Sequence, residues 1–329
     1  MILHVFNPDN DMALANGSPG YTPPANIQRM MEKTALLPAR WAMPGDGILA
    51  GDRVWVVEQR APKESQWTEH FEVGVGHWCP LADLLSSIHD VRPWGWSPAI
   101  CHRLRVLGIP DNLLPSDKAV RDLRRLSSRE QAVLMLRTLQ PMHPSFVGVS
   151  EYCVTEAAVE EALSRWSRTV LKAPWSGSGK GIRYGQGGRE DTLRGWYRRI
   201  LMQQGGIVVE PFYDKLHDFA MEFWSDGEGN VTYQGLSLFE THPNGAYKGN
   251  LIWPEAKKQE WLAGQLESLG TSASAIPILQ QLLEKRLSAW LSDTYRGPLG
   301  VDMMVVAGGL IHPCVEINLR MTMGYVSIL

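Results

Sequence analysis

Cysteine is scarce. Cys79, Cys101, Cys153 and Cys314 are scattered with no Cys-x-x-Cys pair, which leaves no visible zinc site and fits reduced, buried thiols. Long apolar runs are missing too, and none approaches the ~18 residues of a membrane helix. The opening Met1-Ile-Leu-His-Val-Phe6 reaches Asn7-Pro8-Asp9 too soon for the apolar region of a signal peptide. These absences lead us to expect a cytoplasmic chain with no membrane partner. A surplus of one charge is also lacking, the formal net charge being -3, so a general nucleic-acid binder is not expected. Arg121, Arg124, Arg125 and Arg129 fall in a helical pattern and read as a solvated face. We find no internal repeat and no low-complexity tract.

What is present suits an ordinary globular chain of two or three subdomains: 329 residues, 44% hydrophobic and 20% charged. The thirteen tryptophans read mostly as core or groove lining. Ile2 to Phe6 is an apolar run ended by a polar loop, and Arg53 to Glu58 is a second strand. Ser97-Pro98 opens a helix that Gly108 stops. Alternating strands and helices predict a parallel α/β domain over 1–115. One amphipathic helix is expected from about Asp117 to Thr138, ended by Pro141 and Pro144. A helix at 155–166, a strand at 169–173, a helix at 191–204 and a strand at 207–210 make an α+β unit over about 143–212. From about 213 to 329 the pattern turns antiparallel. Phe219–Trp224 and Val231–Phe239 flank a hairpin turn, two helices follow near 255–269 and 276–295, and Gly300–Val306 with Ile311–Ile317 close the chain.

The strongest local signal is Val170-Leu-Lys172-Ala-Pro-Trp-Ser176-Gly177-Ser178-Gly179-Lys180-Gly181. Glycines let backbone N–H groups fold over phosphates, the serines add hydroxyl donors and Lys180 adds charge. The spacing fits neither a Walker A loop nor a dinucleotide fingerprint. Lys172 interrupts an apolar strand, where an amine is costly to bury unless an anion meets it. A nucleotide phosphate suits that role, and Lys118, in Pro-Ser-Asp-Lys, is a candidate second contact.

The last two strands carry a metal argument. Asp302 interrupts one apolar strand; Glu316, Asn318 and Arg320 share one face of the other. An odd-numbered loop between the strands places Asp302 opposite Glu316, and a two-residue loop places them on opposite faces. Carboxylates converging there, with an amide oxygen, call for a hard cation, and Mg²⁺ bridging to substrate phosphates suits such a half-site.

Between these motifs lies Ile207-Val-Val-Glu210-Pro211-Phe212-Tyr213. Lys118, Lys172 with its glycine loop, Glu210-Pro-Phe, Asp302 and Glu316-Ile-Asn318-Leu-Arg320, in that order, resemble the ATP-grasp superfamily of carboxylate-amine and carboxylate-thiol ligases over about residues 116 to 329. The resemblance implies an ATP-grasp domain at 116–329, preceded by a pre-ATP-grasp domain at 1–115 that helps bind the acceptor. ATP and Mg²⁺ are the implied cofactors. Adenine would meet Glu210, Pro211 and the backbone of Phe212 or Tyr213; Asp218, or else Asp214, would hold the ribose. Lys118 and Lys172 would contact phosphates beneath the 176–181 loop. Asp302, Glu316 and Asn318 match metal positions, and Arg320 with Lys172 would steady the transferred phosphoryl group. The chain ends nine residues after Arg320, so later family elements are expected to be missing and the chain to be a shortened one.

The implied reaction activates a small-molecule carboxylate as an acyl phosphate for attack by an amine. A kinase acting on a hydroxyl, or an ATP-binding regulatory module without turnover, would use the same motifs. Asn7, Asp9, Asn10 and Asp11 sit where the first strand ends, a place for a ligand or for a turn. His242 and Lys248 are further candidate substrate contacts.

Overall fold

The computed structural model describes residues 1–60, 73–177, 181–186, 190–241 and 247–329. The chain forms two units, Met1–Arg124 with Leu329, and Arg125–Ile328.

The first unit is built on strands β1 (Ile2–Val5), β2 (Gly47–Ala50), β3 (Arg53–Gln59), β4 (Val75–Pro80) and β5 (Asp90–Pro93), ordered β4-β3-β2-β1-β5. β1 pairs in parallel with β2 and β5. β3 and β4 run antiparallel, which corrects the expected all-parallel sheet. The reason is local: Ala50 pairs with Arg53 across Gly51-Asp52, and so short a link joins only antiparallel strands. Helices α1 (Asn10–Asn16), α2 (Ala25–Thr34) and α3 (Pro98–Val106) accompany the sheet. As expected, Ser97 caps α3, its hydroxyl accepting from the Ile100 N–H.

The predicted helix over 117–138 is two helices, α4 (Asp117–Leu126) and α5 (Arg129–Leu139). Ser128 adopts an extended conformation and accepts from the Glu130 N–H, so its side chain starts a new helix where the pattern alone continued the old one. The units divide between Arg124 and Arg125 rather than at 115–116, because Val120 on α4 joins the core of Leu104, Ile109 and Leu114.

The second unit holds two antiparallel sheets. Strands β6 (Glu151–Cys153), β7 (Arg168–Lys172), β8 (Ile182–Gln186) and β9 (Ile207–Pro211) are ordered β6-β9-β7-β8. Helices α6 (Glu156–Ser164) and α7 (Glu190–Gln204) pack on them through Val159, Leu163, Tyr197, Leu171 and Val209. Strands β10 (Lys215–Asp226), β11 (Val231–Thr241), β12 (Tyr247–Asn250), β13 (Arg296–Val306) and β14 (Leu310–Asn318) form the other sheet, ordered β12-β11-β10-β13-β14. Helices α8 (Glu255–Ser268), α9 (Ala275–Leu291) and α10 (Met323–Ile328) complete the unit. Leu279, Leu283, Leu287 and Leu291 form a fully buried stripe at four-residue spacing on α9. Strand alternation buries Phe219, Met221, Phe223, Val301 and Met303 on one side of the sheet. The other side therefore carries Asp218, Ala220, Glu222, Gly300 and Asp302. Among the described residues no helix is long and apolar enough to cross a membrane.

Candidate active site

The hairpin fulfils the odd-loop condition. Ala307–Gly309 joins β13 to β14, and Asp302 lies directly opposite Glu316 and Gly300 opposite Asn318. A bulge between Asp302 and Met304 shifts the register from Met304↔His312 to Asp302↔Glu316. The shift is by an even number of residues, so face parity survives. Asp302 also pairs with Ala220, which pairs with Ser237, and Gly300 pairs with Glu222. Two rows thus cross the sheet face: Glu316, Asp302, Ala220, Ser237 in one and Asn318, Gly300, Glu222, Gly235 in the other.

These acids crowd one another. Burial, then the carboxylate of Glu316, pushes Asp302 up to about 7. Burial, then Asp302, pushes Glu222 up to about 8. Glu222 is fully enclosed and accepts a 2.9 Å bond from the Thr322 hydroxyl. A Cβ at Gly300 would fall 2.6 Å from one Glu222 oxygen, and one at Gly324 would fall 2.0 Å from the other, so both positions need glycine to admit the carboxylate. Sequence reasoning passed over Glu222. The sign was present, for it is the one charge in Phe219-Ala-Met-Glu222-Phe-Trp224.

Asn318 donates to Asp302 at 3.2 Å, and its carbonyl oxygen accepts from Arg320 at 2.9 Å. Asp302, Asn318 and Arg320 are therefore one connected chain, while Glu316 is held by Arg129. In this arrangement the amide oxygen of Asn318 is occupied by the guanidinium. Asp302 and Glu316 fit a cation by their crowding, since a divalent ion between them would relieve the repulsion that raises Asp302. Among the described residues no three His, Cys, Asp or Glu side chains cluster closely enough to hold a metal alone. Two carboxylates completed by substrate oxygens are the usual arrangement for Mg²⁺.

Arg129 is the largest departure from the sequence reading. It is buried, not solvated. Its guanidinium donates to the Ala173 carbonyl at 2.6 Å, the Ser176 hydroxyl at 2.6 Å, the Ser176 carbonyl at 3.0 Å and Glu316 at 2.6 Å. One side chain thereby ties the start of the glycine-rich loop to the acidic hairpin. Gly181 closes the described part of that loop, its carbonyl accepting from the Ala173 N–H at 2.9 Å. A Cβ there would meet the Ser176 hydroxyl at 2.2 Å. Gly177 is described; Ser178, Gly179 and Lys180 lie outside the described residues.

Lys172 finds its anion within the protein. It pairs with Glu210 at 2.6 Å, both side chains being buried, and Ser150 donates to Glu210 at 3.0 Å. Burial raises the Glu210 pKa, but Lys172 and its other neighbours outweigh this and hold it below the usual range. His312, also missed, is completely buried beside the pair. It stacks edge-on with Tyr213 at 5.5 Å, and neither ring nitrogen has a hydrogen-bond partner among the described residues. Burial pushes its pKa down to about 4. The alternation His312, Cys314, Glu316, Asn318 could have flagged it.

The strand expected to meet adenine is partly engaged. The Phe212 N–H donates to the Arg168 carbonyl at 2.9 Å, and the Arg168 guanidinium lies 3.8 Å over the Phe212 ring. Of the two expected backbone donors, Tyr213 is therefore the one compatible with this arrangement. Its hydroxyl accepts from the Val149 N–H at 2.9 Å. Pro211 ends β9, paired with Thr169. Asp218 bonds Lys215 and, at 2.8 Å, the Thr241 hydroxyl; Asp214 pairs with Arg168 at 3.2 Å. Lys248 pairs with Glu240 at 2.5 Å, and His242 lies outside the described residues. Lys118 belongs to the first unit, where it pairs with Asp122 at 2.7 Å and is largely exposed.

No protein-family model matches the sequence. A butirosin acyl-carrier protein–L-glutamate ligase from Niallia circulans is 27% identical over 179 residues, which is 51% of this chain and 36% of that protein. The chain thus spans little more than a third of that relative. The crystal structure of D-cycloserine synthetase DcsG matches 100% of this chain and 94% of its own, with a TM-score of 0.50 and 12% identity. D-alanyl-alanine synthetase A from Vibrio cholerae matches 99% of this chain and 89% of its own, with a TM-score of 0.49 and 12% identity. The likeness to D-cycloserine synthetase, beside the two antiparallel sheets, the glycine-rich loop and the acidic hairpin, shows that the chain has the ATP-grasp fold.

Proposed function

We propose that this protein is an ATP-dependent carboxylate-amine ligase working on small molecules in the cytoplasm. The observation that supports this most is the guanidinium of Arg129, which lies 2.6 Å from both the Ser176 hydroxyl and Glu316. It sets a phosphate-cradling loop beside an acidic, cation-seeking face. The fold is that of D-cycloserine synthetase, and the curated relative is named a ligase of L-glutamate and an acyl-carrier protein.

In this reading the γ-phosphoryl group of ATP passes to a substrate carboxylate oxygen, giving ADP and an acyl phosphate. An amine then attacks the acyl carbon, phosphate leaves with the bonding electrons, and the amine loses a proton as the amide forms. Asp302 and Glu316 would hold Mg²⁺, which when bound neutralises charge on the phosphate oxygens. Lys172 faces the phosphates once its pairing with Glu210 is shared with them. Arg320, linked through Asn318 to Asp302, stabilises charge on the group in transit. The glycine loop excludes water, which would hydrolyse the acyl phosphate.

The test is an assay of the chain with Mg-ATP, hydroxylamine and a panel of amino acids and dicarboxylates. ADP release with hydroxamate formation is expected for at least one carboxylate. ADP release without hydroxamate and with a phosphorylated hydroxyl acceptor would replace the ligase by a kinase. Nucleotide binding without any ADP would replace it by a regulatory module.

A further inference from the structure

A cavity of about 370 Å³ opens in the first unit, at the small end of the range for ligand pockets. It lies beyond the carboxyl ends of β1 and β2, lined there by Phe6, Asn7 and Leu49. This is the crevice position of an open α/β sheet, beside the strand at which the order reverses towards β5. Its floor is firmly held: Asn7 donates to the Gly95 carbonyl at 2.8 Å and accepts from the Gly95 N–H at 3.4 Å. One wall is α2. Gln28, Met31 and Glu32 line the cavity at helical spacing, with Ala35 just past the end of the helix, while no residue of α2 is buried. That helix covers a space rather than packing into a core.

Three polar groups facing this space are unusually placed. Asp9 is 8% exposed and makes no ion pair among the described residues. The Tyr21 hydroxyl is buried without a hydrogen-bond partner. Arg103 enters from α3 and bonds only the Gly51 carbonyl among the described residues, at a long 3.4 Å. Asp9 and Arg103 influence each other electrostatically without forming an ion pair, and Asp9 also bears on Tyr21. A buried carboxylate with no cation and a buried hydroxyl with no partner are each costly on their own. Placed around one cavity with a guanidinium set apart from them, they match a ligand carrying both charges a short distance apart.

We propose that this cavity binds a free α-amino acid, the ammonium received by Asp9 and Tyr21 and the carboxylate by Arg103. The site stands apart from the ligase reading, because occupancy needs no nucleotide. It gives the first unit a ligand of its own, whatever reaction the second performs.

The experiment is calorimetric titration of the full chain, without nucleotide, with each of the twenty common amino acids and their available D-enantiomers. At least one is expected to bind. Its N-acetyl and amide derivatives should each bind at least tenfold more weakly. Asp9→Asn should weaken binding at least tenfold while the melting temperature of the ligand-free chain stays level or rises, because the variant removes an unpaired buried charge. A merely structural Asp9 would show the opposite pattern. Arg103→Met should bring the parent and its amide to equal affinity, and Tyr21→Phe should lower affinity several-fold without altering the fold. Failure of every amino acid to bind, or wild-type affinity in Asp9→Asn, would overturn the proposal; so would equal binding of the amide by the unsubstituted chain.

Discussion

Two buried charged sites of the second unit differ in how they are balanced. Lys172 and Glu210 answer each other at 2.6 Å, with Ser150 supplying a second contact to Glu210. Asp302, Glu316 and Glu222 crowd one sheet face, and their cations, Arg129 and Arg320, are shared with the glycine loop and with Asn318. The first site is complete as the chain stands. The second cannot ionise all of its acids together without a further cation, which is the condition for binding a divalent ion. A pair that satisfies itself costs the fold little, whereas a face left acidic gives up stability in exchange for a ligand.

The largest effect expected from this contrast is at the balanced pair. Lys172→Met leaves Glu210 buried without its cation and should cost about 3–5 kcal/mol in denaturant unfolding. Lys172→Met/Glu210→Leu should recover most of that loss, because both charges are gone. A single-variant loss below about 1 kcal/mol, the range of an exposed pair, would erase the distinction between the sites.

The smaller effect runs the other way. Glu222 has a folded-state pKa raised from 4.5 to about 8. Its penalty is therefore absent below about pH 4.5, grows as pH rises through that window, and is full above about pH 8. In chelator, Glu222→Gln should unfold like the unsubstituted chain at pH 4 and be more stable by on the order of 1–3 kcal/mol at pH 8. Equal stability at both pH values would mean that the acidic face is already balanced.

Much of the second unit was legible because its signals are local. Strand alternation put Asp302 and Glu316 in apolar runs, and a parity argument made their pairing depend on loop length alone. The bulge at Asp302 and Met304 could not be read, yet it left the parity unchanged. Arg129 was not legible. It continues a run of arginines on a helical pattern, and what distinguishes it is Glu316, 187 residues further along the chain. The break at Ser127-Ser128 had a sign in the serine followed by Arg129-Glu130, but the apolar periodicity on both sides masked it. In the first unit, Gly51-Asp52 was the overlooked clue to the antiparallel strands. The space around Asp9, Tyr21 and Arg103 is made by residues far apart in sequence, which no local pattern brings together.

The central claim is that the acidic face of β13 and β14 holds a divalent ion together with nucleotide. Calorimetric titration of a nonhydrolysable ATP analogue tests it most directly, into the unsubstituted chain with Mg²⁺, into the same chain with EDTA, and into Glu316→Gln with Mg²⁺. The account predicts binding in the first case and affinity lower by about 10–100-fold in the other two, with the variant folded. Equal affinity in all three titrations would contradict it.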